Sequence, residues 1–283
     1  MFDYGRNNLG DVFNPYLLDF FGVNYITLTG DQKKGKWRGV DKIDLMAVGS
    51  TLQRVVNPSY LKAQFMRLYK HKILNIYGTG FIEERKSPHE YFIRPLNILA
   101  LRGEVTKKRC EDILKRKLDG IALGDPGLLF SKIFPYTQNP KKYDIGIIPH
   151  YAHKRNKYLN NIQLKKLKYK IIDIQSGVEN ALHDISSCKF ILSSAMHGII
   201  AADSYGIPNK WFKVDTPLDG DEYKFHDYFS AFGIYNQTPI NLVSEIIKDE
   251  DIEKLASDYK LNNSMVEDKQ VQLIKAFENL IFE

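Results

Sequence analysis

The stretch Phe190-Ile191-Leu192-Ser193-Ser194-Ala195-Met196-His197-Gly198-Ile199-Ile200-Ala201-Ala202-Asp203-Ser204 decides the fold class. A short apolar run, Phe190–Leu192, meets two serines. A histidine and a glycine then open an apolar, alanine-rich run from Ile199 to Ser204. A buried strand that passes directly into a helix is one half of a parallel βαβ unit.

The same punctuation recurs along the chain. Candidate strands are Val23–Leu28, Ile43–Val48, Ile73–Tyr77, Ile98–Leu101, Gly120–Leu123, Ile145–Ile148 and Ile171–Ile174. Helical patterns lie between them: Val178, Ala181, Leu182 and Ile185 keep the i, i+3, i+4, i+7 spacing, and Val271, Ile274, Phe277 and Ile281 fit a later helix. Thr106 is the expected N-cap of a helix from Lys107 to about Lys117. Strands alternating with helices imply parallel sheets with helices on both faces, an α/β protein. The polar stretch Gln138-Asn139-Pro140-Lys141-Lys142 is the expected boundary, giving domains at 1–139 and 140–283, each long enough for its own doubly wound sheet.

Composition narrows the function classes. Lys and Arg number 40 against 34 Asp and Glu, a net charge of +6. That excess suits anionic ligands or an anionic membrane surface, and is too small to mark a nucleic-acid binder. The basic run Lys154–Lys170 reads either as a solvated face or as a patch for anionic lipid. Two cysteines, Cys110 and Cys188, are too few for a disulfide framework or a cysteine-rich zinc site, and no apolar run of about 18 residues is present. With charges at Asp3 and Arg6 and no apolar segment at the start, a cytoplasmic protein is expected. No P-loop, HExxH, CxxC or GxSxG pattern occurs, and the histidines lack metal-ligand spacing, so no metal is expected.

Ligands of open α/β sheets bind beyond the carboxyl ends of the strands. The unusual residues fall there: Gly49-Ser50, Gly78-Thr79-Gly80, Arg102-Gly103, Pro149-His150-Tyr151, and Ser193-Ser194 with His197-Gly198. His197 reads as an anion contact or proton carrier, or as a buried histidine satisfied by a carbonyl. Arg102 reads as a clamp for carboxylate or phosphate, or as a structural partner of an acid such as Asp125. His150 is open between the two kinds of role. Asn8, Asp11 and Asn14 open a helix carrying Phe13, Leu17, Leu18 and Phe21, and serve either as caps or in recognising hydroxyls.

Taken in order, these elements resemble those of the polysaccharide pyruvyl transferases. Asn8-Leu9-Gly10-Asp11 with Asn14-Pro15, Ala47-Val48-Gly49-Ser50-Thr51-Leu52, Tyr77-Gly78-Thr79-Gly80 and Ala100-Leu101-Arg102-Gly103 are similar to successive elements of that family. So are Leu123-Gly124-Asp125-Pro126, Ile148-Pro149-His150-Tyr151, Ser193 to Gly198 with Ala202 to Pro208, and the aromatic-acidic segment Glu222 to Phe232. One departure is Ala195, where some members carry an arginine used on the donor. Beyond about Leu242 nothing matches.

The resemblance implies two Rossmann-like domains facing a cleft, as in glycosyltransferase-B folds, with residues 1–139 on the acceptor side and 140–283 on the donor side. It implies phosphoenolpyruvate as donor substrate, no cofactor, and a cyclic pyruvate ketal on a sugar that is polymeric or lipid-linked. On that reading His197 supplies a proton as imidazolium and Asp11 acts as hydroxyl base or sugar anchor. Arg102, His150, Ser194, His197 and Lys210 hold the donor, while Asn8, Asp11, Asn14 and Thr79 hold the acceptor. A nucleotide-sugar glycosyltransferase on the same scaffold and a silent glycan-binding protein are the competing readings. Peripheral contact with the inner membrane surface is a further expectation.

Overall fold

Two parallel sheets, joined at the carboxyl ends of their strands, organise the chain. The structure, a computed structural model, describes residues 2–3, 8–26, 28–29, 43–70, 72–218, 220 and 222–280. In chain order, β1 (Phe2–Asp3) pairs in parallel with β2 (Leu28–Thr29), with α1 (Leu9–Phe20) between them. The first large sheet has four parallel strands in the order β3 (Leu45–Met46), β5 (Leu74–Tyr77), β7 (Leu96–Leu101) and β8 (Ala122–Leu123). A side ribbon pairs β4 (Val56–Asn57) with β6 (Tyr91–Phe92), antiparallel, and α2 (Tyr60–Tyr69) follows β4. Helix α3 (Glu104–Leu114) crosses from β7 to β8, and α4 (Phe130–Ile133) ends this half.

The second sheet has five parallel strands in the order β11 (Tyr169–Ile171), β9 (Tyr143–Ile148), β12 (Cys188–Ser193), β13 (Asn209–Lys213) and β14 (Ile240–Asn241). Beside it β10 (Ile162–Gln163) pairs with β15 (Ile247–Lys248). Helices α5 (Val178–Ser186), α6 (Met196–Ser204) and α7 (Tyr223–Ser230) cover or flank it, and α8 (Asp249–Ser257) and α9 (Asn263–Phe277) complete the chain.

Alternation sorts the second sheet's side chains. Ile145, Ile147, Phe190, Leu192 and Phe212 pack one face with Ile252 of α8. Ile148 and Ile191 face the other way, into a core continuous with the first sheet through α1, α5 and α6. Phe13 of α1 meets Phe130 within the first half, with ring centroids 4.3 Å apart, and Ser204 of α6 donates its hydroxyl to the Leu128 carbonyl at 2.8 Å across the halves. Helix α9 packs on the first sheet. Tyr77 donates its hydroxyl to the Leu273 carbonyl at 2.9 Å, and Phe277 stacks on Phe21 at 3.8 Å.

The α/β class and most strands stand where the apolar runs put them. Four differences are informative. Residues 23–26 form no strand and Thr27 lies outside the described residues, so of the expected Val23–Leu28 strand only Leu28 lies in one, β2. Strand β13, with its Asn-Lys-Trp-Phe-Lys sequence, was not anticipated, because two lysines mask the period. Ile281 of the expected late helix is outside the described residues, and that helix begins at Asn263. Thr106 is not a cap: α3 begins at Glu104 with Gly103 before it, because the carboxylate of Asp227 accepts from the Thr106 N–H at 2.7 Å and takes over the capping.

Leu273 is fully buried between α9 and the first sheet. Leu273→Ala should cost about 2–5 kcal/mol in denaturant unfolding, and Tyr77→Phe about 1 kcal/mol. An unchanged midpoint for Leu273→Ala would show that α9 is not part of the cooperative unit.

Candidate functional site

Loops at the carboxyl ends of the first sheet are fused by short polar contacts. Thr79 Oγ1 donates to the Gly49 carbonyl at 2.6 Å and accepts from the Thr51 N–H at 3.1 Å. Asn14 Oδ1 accepts from the Val48 N–H at 3.1 Å, which ties α1 to the same frame. Both side chains are buried and committed to backbone, so they brace the loops.

Arg102 is fully buried beneath this frame. Its Nε donates to Asp227 Oδ2 at 2.8 Å, Nη1 to Ser50 Oγ at 2.5 Å and Nη2 to the Phe81 carbonyl at 2.6 Å. Its partner is therefore Asp227 of α7 and not Asp125. The same carboxylate accepts from the Thr106 hydroxyl at 2.7 Å, so one acid serves an ion pair and a helix start together. Gly80 lets the guanidinium lie flat on the backbone, since a Cβ there would sit 2.6 Å from the Arg102 Cζ.

In the second sheet Ser194 organises the loop after β9. Its Oγ accepts from the His150 N–H at 2.9 Å and lies 2.9 Å from His153 Nδ1. His153 Nε2 donates to the Thr216 carbonyl at 3.0 Å, which fixes the ring with Nδ1 facing the Ser194 hydroxyl. His150 caps the next turn through Nδ1, which accepts from the Ala152 N–H at 3.3 Å, and its half-buried ring lies 4.1 Å from that of Tyr151.

His197 lies where the halves meet. It is the second residue of α6, and its imidazole covers Gly10 of α1 so closely that a Cβ at position 10 would collide with three ring atoms. His197 Nε2 points toward Asp125 Oδ2 at 4.0 Å, and both atoms are buried with no hydrogen-bond partner among the described residues. The other oxygen, Asp125 Oδ1, accepts from the Gly127 N–H at 2.9 Å. Asn8 Oδ1, two residues before Gly10, is likewise buried and unpartnered. Half-buried Asp11 follows Gly10 directly, and its backbone carbonyl receives the Asn14 amide at 3.5 Å. Orphaned buried polar atoms are uncommon in folded proteins, and a group of them is a reason to look for chemistry.

The electrostatics differ from the expected imidazolium. Burial, then the positive charges of Arg102 and Lys224, push the His197 ring down to about 3, so it is neutral as folded. Burial pushes Asp125 up to about 6, against the Gly127 N–H and Arg102, which act in the opposite direction. The 4.0 Å separation is at the edge of ion-pair range, and desolvation outweighs attraction there.

The expected residues therefore divide. His197, Asn8 and Asp11 come together around Gly10, and Arg102 sits close enough to act on His197 electrostatically. Asn14 and Thr79 are braces, and Ser194 with His150 shapes the neighbouring loop. Lys210 is set apart. It pairs in register with Leu192, on the sheet face opposite Ser193, where it lines a small cavity with Leu255 and Asp258. Asp125 and Asp227 both fall within the family-like motifs, but position in the sequence reveals neither the Asp125–His197 approach nor the Asp227–Arg102 pair. Ala195 is buried as the N-cap of α6, and the cations felt by His197 are Arg102 and Lys224.

A family model described as polysaccharide pyruvyl transferase matches residues 3–215. The chain belongs to the polysaccharide pyruvyl transferase family. It is similar to an uncharacterised protein, L143, of Acanthamoeba polyphaga mimivirus, with 34% identity over 197 residues, 68% of this chain and 67% of that one. It also resembles the succinoglycan biosynthesis protein ExoV of Rhizobium meliloti (strain 1021), with 23% identity over 234 residues, 81% of this chain and 63% of ExoV. The pyruvyl transferase match takes in Gly10, Arg102, Asp125 and His197, and ends before α7, α8 and α9.

Two substitutions check this geometry. Asp227→Ala strands Arg102 as a lone buried charge and should cost about 3–5 kcal/mol in unfolding free energy. Asp125 holds its proton more tightly folded, near 6, than at the ordinary 3.8, so its stabilising contribution is complete below 3.8 and lost as pH rises through 6. Asp125→Asn should be more stable than the parent by about 1–3 kcal/mol at pH 8, with the gap closing toward pH 4. Melting curves across that range check the sign.

Proposed function

We propose that this chain transfers pyruvate from phosphoenolpyruvate to two hydroxyls of a sugar, forming a cyclic ketal and releasing phosphate. The observation that carries the reading is the buried, unpartnered pair of His197 and Asp125 pressed against the first turn of α1. In this scheme His197 delivers a proton to the methylene carbon of the donor, leaving an oxocarbenium-like carbon at C2. One hydroxyl attacks that carbon and gives up its proton. The C2–O bond to phosphate breaks, and the second hydroxyl closes the ring. Of the two hydroxyl protons, one ends in the new methyl group and one on phosphate. There is no net redox change.

A neutral histidine must first be charged. The negative carboxylate and phosphate of a donor beside the ring favour its protonated form, opposing the burial that keeps it neutral. Asp125, poised near 6, stabilises the imidazolium once it forms and keeps Nε2 aimed. Arg102 and Lys224 contribute positive potential, and His150 and Ser194 stand on the donor side. Asn8 and Asp11 face the acceptor, with Asp11 as hydroxyl base. The two sheets then follow the glycosyltransferase-B plan, 1–139 toward the acceptor and 140–283 toward the donor. The name of ExoV, a succinoglycan biosynthesis protein, supports a polysaccharide as the product, and the acceptor in this scheme is that polysaccharide or its lipid-linked precursor.

Calorimetry with phosphoenolpyruvate, UDP and GDP tests the donor. Selective heat with phosphoenolpyruvate is expected, with turnover falling about 10²–10⁴-fold in His197→Ala. Heat with a nucleotide diphosphate alone would make the chain a glycosyltransferase instead.

A further inference from the structure

Helix α2 is turned inside out. Leu61, Phe65 and Leu68, spaced i, i+4, i+7, are 79%, 60% and 77% exposed, while the helix rests on the protein through Ala63 and Met66. Tyr60 and Tyr69 are exposed on either side of the stripe, with Tyr60 edge-on to Tyr91 at 5.2 Å and Tyr69 4.8 Å from Phe65. The charges flanking it have one sign. Lys62 and Arg67 are exposed on the helix and Lys70 and Lys72 follow, whereas no Asp or Glu occurs from 58 to 72. None of these four cations pairs with a carboxylate among the described residues.

The basic run Lys154–Lys170 is different. Lys154 pairs with Asp173 at 2.6 Å, Lys170 with Asp184 at 2.5 Å, and Asp249 accepts from the backbone N–H groups of Lys165, Lys166 and Leu167. Carboxylates of the protein itself thus lie against both ends of that run and against its Lys165–Leu167 turn, which is not so for the charges of α2.

We propose that α2 is a membrane-docking helix that lies in the plane of an anionic bilayer. Its apolar stripe enters the acyl boundary, its two tyrosines sit at headgroup depth, and Lys62, Arg67, Lys70 and Lys72 meet lipid phosphates. A second copy of the chain fits less well. Two such faces in contact would bring four cations, Lys62 and Arg67 twice, around an apolar seam with no acid on either helix. An apolar stripe rimmed by cations that have no carboxylate partner among the described residues is complementary to a surface that is apolar within and negative at its edge.

Flotation of the full chain with phosphatidylcholine vesicles, with and without phosphatidylglycerol, tests this without any substrate. The protein should float with the anionic vesicles and be released by salt. Leu61→Ser/Phe65→Ser/Leu68→Ser should stay unbound while melting like the parent, since the three side chains are largely solvated. Lys62→Gln/Arg67→Gln should lose about fivefold in partition per charge removed, whereas Lys165→Gln/Lys166→Gln should bind as the parent does. A parent that fails to float, or a triple serine variant that floats equally well, overturns the proposal. Light scattering that shows a dimer dispersed by the triple variant, without flotation, assigns the face to a second copy and overturns it too.

Discussion

The buried pair of Arg102 and Asp227 is the constraint on which the rest depends. It reaches from the end of the third strand of one sheet to the helix between the last two strands of the other, and both side chains are fully buried. Each partner is over-committed. The guanidinium also holds a serine and a carbonyl, and the carboxylate also holds a helix start. A charge that has lost its water tolerates little drift in its neighbours. Gly103 shows how tight the joint is, because its Cβ would overlap the Asp227 carbonyl. The relative placement of the sheets, and with it the meeting of Gly10 and His197, hangs on this contact.

That placement makes the site dry. Desolvation disfavours charge on both His197 and Asp125, so the ring resists protonation and the carboxyl resists ionisation. An incoming anion shifts that balance toward a charged ring. The arginine that some members carry at position 195 is alanine here, and the positive potential at the ring comes instead from a strut, Arg102, and from Lys224 on α7. Potential acts over several ångströms in a low dielectric, so a cation need not touch the ligand to set the chemistry beside it.

Much of this was legible in the amino-acid order. Apolar runs ending in glycine, serine or histidine located six of the strands of the two large sheets and the loops that carry the site, since parallel strands are buried on both faces and read as continuous apolar stretches. Strand β13 escaped because Lys210 and Lys213 interrupt its pattern, although Trp211 and Phe212 are buried. Local spacing could not say which acid Arg102 meets, because Asp227 is 125 residues away. Nor could it separate Asn14 and Thr79, which hold backbone, from Asn8, whose oxygen is left without a partner. Residue type suggests chemistry, but only the fold decides which polar groups have already been satisfied.

Helix α9 lies outside the stretch matched by the family, yet it completes the first sheet, bonding Tyr77 across 196 positions. On a ribosome that appends residues one at a time, the opening sheet is therefore made long before its cover exists. Until α9 emerges, β7 and β8 carry exposed apolar surface through the whole synthesis of the second sheet. The first half therefore reaches its final packing only when nearly the whole chain has been made, although its last strand ends at Leu123.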